Sequence, residues 1–463
     1  MAMKLCDKCL TENTGTDCRS VRTVIKGTLV LFVIAVMIFP AGMTSAEPSP
    51  EALVNWPQWR GPLMTGEAPN GDPPVTWSEN SNIRWKVPVP GMGHATPVVW
   101  RDRIFVLTAV PAGDGGKSGR SALGNLFGSG DKYSYEVRAL NRKDGSLIWR
   151  RVARVEAPHD SRHDDASWAS PSPVTDGEHI IASFGSRGFY CYDMGGNLLW
   201  EKDFGDLHIR FSWGEGSSPA LCGDRLIVTW DHTGNSFVTA LDKRTGEEIW
   251  RTGRRDGTSW TTPLVVEHKG TTQVIAPSIS RTRSFDLGTG KELWTTRGMT
   301  ANPIPTPVYA DGIVYLMGGY RESILQAVSL DRARGDASSS RAIVWDYAQD
   351  TPYVPSPLLY GGKLYFLKSN RNMLTCLDAA TGKTYYARQR LDGLGGVYAS
   401  PVAARDRVYV LGRNGVCAVL KHGPRMEVLA TNRLDDSFSA SPVIVGKELI
   451  LRGYNYLYCI ATE

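Results

Sequence analysis

One dipeptide returns along this chain at a nearly constant interval: a serine or threonine followed by proline, opening an apolar stretch. It stands at Thr96-Pro97, Ser172-Pro173, Ser218-Pro219, Thr262-Pro263, Thr306-Pro307, Ser356-Pro357, Ser400-Pro401 and Ser441-Pro442. Successive prolines lie 76, 46, 44, 44, 50, 44 and 41 residues apart. Ser170-Pro171 leaves a two-residue choice of register in the second copy. Proline cannot donate to a β-ladder, so each copy marks the start of a strand rather than its interior. A period of about 40–50 residues belongs to chains built from one repeated supersecondary unit. The 463 residues therefore need not be divided into the two or three domains that length alone suggests.

Each proline is followed by a turn and a second strand, as in Asp102-Arg-Ile-Phe-Val-Leu, Asp224-Arg-Leu-Ile-Val-Thr, Asp311-Gly-Ile-Val-Tyr-Leu and Asp406-Arg-Val-Tyr-Val-Leu. Aspartate or glycine at the turn, with β-branched and aromatic residues after it, is hairpin chemistry. A second signal closes the unit. Its clearest copy is Ala240-Leu-Asp242-Lys-Arg-Thr245-Gly246-Glu-Glu-Ile-Trp250, with others at Asn141–Trp149, Asp193–Trp200 and Asp286–Trp294. At Asp378–Tyr386 a tyrosine replaces the tryptophan. Asp or Asn accepts hydrogen bonds from the turn backbone and Gly supplies the positive φ. The tryptophan is expected to lie flat between neighbouring sheets. Trp85, Trp149, Trp200, Trp250, Trp294 and Trp345 are assigned this structural role. The reading is all-β: an eight-bladed β-propeller of four-stranded antiparallel blades over residues 82–463. The last unit, Ser441 to Glu463, lacks a fourth strand. The N-terminal stretch Asn82-Ile-Arg-Trp85-Lys-Val-Pro-Val is expected to supply it and close the ring, which removes an exposed edge. Residues 111–132 and 332–341 break the period and read as insertions.

Residues 1–46 read separately. Lys4, Lys8, Arg19, Arg22 and Lys26 precede the apolar run Thr28–Phe39, which Pro40 ends before Thr44-Ser45-Ala46. That is the pattern of a secretory signal peptide, with an uncleaved signal-anchor as the alternative because the basic region is long. Either way the chain is expected to be exported, to a periplasmic or cell-envelope location, with membrane contact only through that anchor. Residues 47–81 form an extension, and Asn55–Pro62 is expected to lie across the outside or bottom of the ring. Cys6, Cys9 and Cys18 lie in the leader; Cys191, Cys222, Cys376, Cys417 and Cys459 sit in the propeller and read as small core residues. A net charge of +5 argues against a dedicated nucleic-acid binder.

The Ala-x-Asp-x-x-Thr-Gly-x-x-x-Trp unit resembles the tryptophan-docking repeat of quinoprotein (PQQ-like) β-propellers. Those include the quinoprotein alcohol dehydrogenases and non-enzymatic relatives such as BamB-type outer-membrane assembly factors. The resemblance covers nearly all of the chain after the leader and speaks to fold more than to function. It implies one of two activities: a non-catalytic scaffold that binds a protein or peptide partner, or a PQQ- and calcium-dependent dehydrogenase of an alcohol or sugar. The vicinal cysteines of many such dehydrogenases are missing here, and the calcium ligands and acidic base find no matching positions. No cofactor and no resident metal is expected on the scaffold reading. A carbohydrate-binding propeller is the third reading, from aromatic residues alone.

Those aromatic residues precede the blade-opening prolines: His94, Trp168, Trp213, Trp260, Tyr353, Tyr398 and Phe438. Their repeat position puts them at one mouth of the central channel, as a ligand-facing ring or as packing between inner strands. The densest polar cluster is His159-Asp160-Ser161-Arg162-His163-Asp164-Asp165, and a second loop carries His208, Arg210, Trp213 and Glu215. The candidate binding set is therefore His159, His163, Asp164, Asp165, Trp168, Arg210, Trp213, Glu215, Trp260, Tyr353 and Tyr398. No hydrolase, zinc-protease or phosphate-loop motif is present, and no catalytic residue is assigned.

Overall fold

The computed structural model describes residues 48–113 and 131–462. The expected leader and most of the first insertion lie outside them. The described chain forms eight antiparallel blades, seven of four strands and one of five. The innermost strands are Val98–Trp100, Val174–Thr175, Ala220–Cys222, Leu264–His268, Val308–Ala310, Leu358–Tyr360, Val402–Ala404 and Val443–Val445. Each follows a Ser/Thr-Pro, as the repeat requires. Ring closure is as expected: Ile83–Pro88 pairs antiparallel with Tyr456–Ile460, setting Trp85 opposite Cys459 and Val87 opposite Leu457. No helix among the described residues is long and apolar enough to cross a membrane. All five cysteines of the propeller are buried.

The two repeat signals each have a physical reason. The tryptophan closing one blade lies over the turn glycine of the next. Trp85 covers Gly145, Trp149 covers Gly196, Trp200 covers Gly246, Trp250 covers Gly290 and Trp345 covers Gly382. These turn glycines hold φ near +70 to +80°, and a Cβ at each would meet the indole within about 3 Å. The indole nitrogen donates to a backbone carbonyl of the same turn, for example Trp200 to Lys243 O at 2.8 Å and Trp250 to Leu287 O at 2.8 Å. Trp294 departs from this rule. The following blade has no Thr-Gly turn, and Trp294 donates instead to Gln273 Oε1 in its own blade at 2.8 Å. The insertion at 332–341 is the cause. Its Gly335–Asp336 adds a short parallel strand to the outer edge of the fourth blade, opposite Trp294 and Thr295.

The Ser/Thr-Pro hydroxyls make a belt around the axis. The backbone N–H of each belt residue donates to the hydroxyl of the next: Thr96 to Ser172, Ser172 to Ser218, Ser218 to Thr262, Thr306 to Ser356, Ser356 to Ser400, Ser400 to Ser441, and Ser441 back to Thr96. The distances run from 2.9 to 3.2 Å. One link is missing. Thr306 Oγ1 is buried with no partner, so the belt is open between the fourth and fifth blades. At the seven linked positions a residue with a short hydroxyl is needed, because it accepts a buried N–H that the inner strand leaves unpaired.

Candidate functional site

Of the two expected courses for Asn55–Pro62, across the outside or the bottom of the ring, the extension takes the second and goes further. It crosses the lower face, where the first hairpins turn, and then enters the channel. Trp56 pairs with Val99, and Thr175 N donates to Pro57 O, Leu359 N to Thr65 O and Ala68 N to Ala403 O. Arg60 is fully buried and its Nη2 donates to the carbonyls of Thr65, Pro357 and Pro401 at 3.0–3.2 Å. With no carboxylate beside it, burial draws its guanidinium down to about 9. Gly66 holds φ +91°, and a Cβ there would strike that guanidinium. Above Arg60, the Trp59 indole N–H donates to Ser441 Oγ at 3.2 Å. The lower end of the channel is thereby plugged.

The plug makes the upper channel a vestibule of about 340 Å³. Trp59 and the belt hydroxyls of Thr96, Ser172, Ser218 and Ser441 line its lower part. Five of the seven expected mouth residues line it: His94, Trp213, Trp260, Tyr353 and Tyr398. Two do not. Phe438 is fully buried in the core, and Trp168 packs against Tyr133 and the Arg162 guanidinium. Tyr320 joins the wall from a blade-top hairpin, 6.2 Å from Trp213 and 4.8 Å from Tyr353 between ring centroids. Its place between strands rather than before a proline hid it in the sequence.

The loop 157–168 reaches over this vestibule and is latched on the far side of the ring. Asp165 accepts from Tyr398 Oη at 2.7 Å and pairs with Arg413 at 2.6 Å. Burial alone would raise the Asp165 carboxyl, but these two donors outweigh it and hold it below the usual carboxylate range. Burial, helped by Asp165, pushes the Tyr398 phenol up to about 12. His163 is exposed, edge-on to Trp213 at 5.8 Å, and Asp164 is exposed. His94 is drawn down to about 3 by burial and then by Arg162, so it is a neutral imidazole. Its Nε2 is buried without a partner.

The remaining candidates form a separate, tighter cluster beside the vestibule. His159 Nε2 lies 3.1 Å from Leu207 O and its Nδ1 3.9 Å from Glu215. Glu215 accepts from the Ser186 N–H and hydroxyl. Burial raises its carboxyl to about 7 against those bonds. The two loops are joined where His163 N donates to Trp213 O at 3.3 Å. They do not make one patch, since His159 and Glu215 face inward while Arg210 faces solvent. Arg210 stacks on Phe211 at 4.7 Å, a residue sequence reading passed over. Phe211 is 62% exposed, the most exposed large apolar side chain among the described residues, and sits at φ +59° beside Ser212 at φ +53°. A second cavity, about 630 Å³, lies on the lower face between the extension and the inner strands of blades 3 to 6.

A profile for the family described as outer membrane protein assembly factor BamB matches residues 133–388 and 280–463. The outer membrane protein assembly factor BamB of Shewanella oneidensis is 25% identical over 311 residues, which is 65% of this chain and 69% of that protein. Among solved structures, BamB from Moraxella catarrhalis has a TM-score of 0.51 at 15% identity, covering 76% of this chain and 100% of that one. The quinohemoprotein alcohol dehydrogenase of Comamonas testosteroni has a TM-score of 0.59 at 11% identity, covering 89% of this chain and 81% of that one. At such identities both structures speak for the fold alone. The profile match, the blade count and the tryptophan docking agree, and the chain belongs to the BamB-type family of PQQ-like repeat β-propellers.

Proposed function

We propose that this chain is an exported, non-catalytic scaffold that binds a protein partner through the upper face of its propeller, in the cell envelope. The observation that carries the reading is Phe211. A bulky apolar side chain held in solvent by two successive left-handed residues stores backbone strain, and such strain persists where a surface is put to use. Phe211, Arg210 and Trp213 together offer the aromatic and arginine chemistry on which protein interfaces concentrate their binding energy. The family and the BamB relative support the same reading.

A quinone cofactor finds little to hold it. PQQ carries three carboxylates and works with calcium, which takes about 6–8 oxygen ligands. Among the described residues the vestibule wall offers one carboxylate, Asp165, already paired with Arg413. His94 is neutral. This donor set fits neither the trianion nor its metal, and we derive no redox step.

The test is photo-cross-linking in intact cells. A photoreactive residue placed at Phe211 should trap one reproducible protein partner, identified by mass spectrometry. The same probe at Glu67 on the lower face should not. Equal products from both faces, or none from Phe211, would refute the assignment.

A further inference from the structure

We propose that the vestibule is a binding site for a neutral pyranose ring, entering from the upper face and resting on Trp59. The inference does not depend on the scaffold reading. Three observations carry it.

The first is the shape and surface of the cavity. About 340 Å³ lies at the small end of the range for ligand sites, about 300–1,000 Å³. That suits one substituted six-membered ring. Trp59, Trp213, Trp260, Tyr320 and Tyr353 supply aromatic faces around it. The Trp260 N–H is already committed to Gly214 O at 2.7 Å, so this indole offers the ligand its π-face.

The second is unspent hydrogen-bonding capacity. Thr96, Ser172, Ser218 and Ser441 each accept a belt N–H, and none of them donates a hydrogen bond within the described residues. A hydroxyl that accepts still has its own proton to give. Those four donors line the cavity, and so does His94, whose Nε2 is buried without a partner. A ligand must therefore bring several groups that both accept and donate. Sugar hydroxyls do this. A tryptophan or phenylalanine side chain of a partner would stack on the walls but leave these groups unmet, at about 1–3 kcal/mol for each one left buried and unpaired.

The third is charge. Asp165 is compensated by Arg413, and His94 carries no charge. Among the described residues no arginine or lysine lines the wall, and the His163 imidazole there faces Asp165 at 3.6 Å, so an acidic sugar or a phosphate has no fixed cation to meet.

The experiment is calorimetric titration of the full chain, with saturation-transfer NMR for weak binders. The probes are glucose, galactose, mannose, N-acetylglucosamine and myo-inositol. Cellobiose and maltose separate a lone sugar from the end of a glycan. Glucuronate tests for an acidic ligand and N-acetyltryptophanamide for a peptide side chain. At least one neutral sugar should bind with a millimolar Kd or better. Trp213→Ala and His94→Leu should each weaken it tenfold or more, His94→Gln should weaken it less, and Glu67→Gln on the lower face should leave it unchanged. Thermal melts confirm that each variant is folded. The proposal is overturned if no neutral sugar binds, if N-acetyltryptophanamide alone binds, or if the folded His94→Leu chain keeps its sugar affinity.

Discussion

The hydroxyl belt contains its own control, because one of its links is missing. Ser356 is buried and its Oγ accepts the Thr306 N–H at 2.9 Å. In Ser356→Ala that N–H stays buried with nothing to bind. The penalty for a buried donor left unsatisfied is about 1–3 kcal/mol. Thr306 is equally buried, yet its Oγ1 has no partner. Thr306→Val exchanges an unsatisfied oxygen for a methyl of similar size and leaves the backbone bond to Ser356 in place. That change should fall within about 0.5 kcal/mol of the parent, or stabilise it. In a domain this large a change of about 2 kcal/mol moves the melting midpoint by only about 2 °C. Guanidinium titration with a shared slope is the better measure. The expected order is Thr306→Val at or above the parent, then Ser356→Ala clearly below. If Thr306→Val proves as damaging as Ser356→Ala, side-chain volume rather than the belt bond is the source, and the account of the Ser/Thr-Pro repeat fails.

Three further outcomes can be measured. Glu215 has its carboxyl raised from 4.5 to about 7, so the folded chain holds a proton through that window which the unfolded chain releases. Stability contributed by this group is full below about 4.5 and is lost as pH rises through about 7. The largest loss is about 3 kcal/mol, and denaturation of Glu215→Gln at pH 5 and pH 8 should show a flatter profile than the parent. Asp165→Asn releases the loop 157–168 from Tyr398 and Arg413. Because the pair is partly exposed, global stability should fall by less than about 1 kcal/mol, while tryptic cleavage after Arg162 accelerates; unchanged cleavage would dismiss the latch. Trp294 is 2% exposed, so Trp294→Ala should lose about 3–5 kcal/mol. Trp345→Ala, at a half-buried position, should lose less in the same urea titration.

The architecture was legible because its signals are local. A proline fixes where each inner strand begins, and a turn glycine fixes where each tryptophan docks. Both survive in single copies, so the blade count and the closing strand followed from spacing alone. The fourth and fifth blades were harder. The partner that Trp294 finds, Gln273, lies 21 residues away in its own sheet, and no motif marks it. The site was half legible. Residues placed before the blade-opening prolines reach the vestibule because the repeat carries them there, as with Trp213, Trp260, Tyr353 and Tyr398. Tyr320, Arg413 and Trp59 arrive from hairpins and from the extension, whose paths depend on contacts hundreds of residues apart. Phe211 was passed over for a different reason. Its significance lies in a backbone conformation, which composition does not record.

The extension joins two tasks that a propeller with an open channel keeps apart. Residues 55–68 fill the lower channel, and Ile83–Pro88, a short way along the same segment, closes the ring. The lower channel is occupied by Trp59, held by the belt hydroxyl of Ser441, and by Arg60, held by the carbonyls of Thr65, Pro357 and Pro401. A buried guanidinium without a carboxylate is costly to keep charged, and burial already draws it down to about 9. Three carbonyl acceptors offset that cost only if the ring holds its radius, and the ring holds its radius only when Ile83–Pro88 is paired. Plug and closure therefore stabilise each other through one stretch of chain. The vestibule above them has its floor in Trp59, whose indole N–H is held by Ser441.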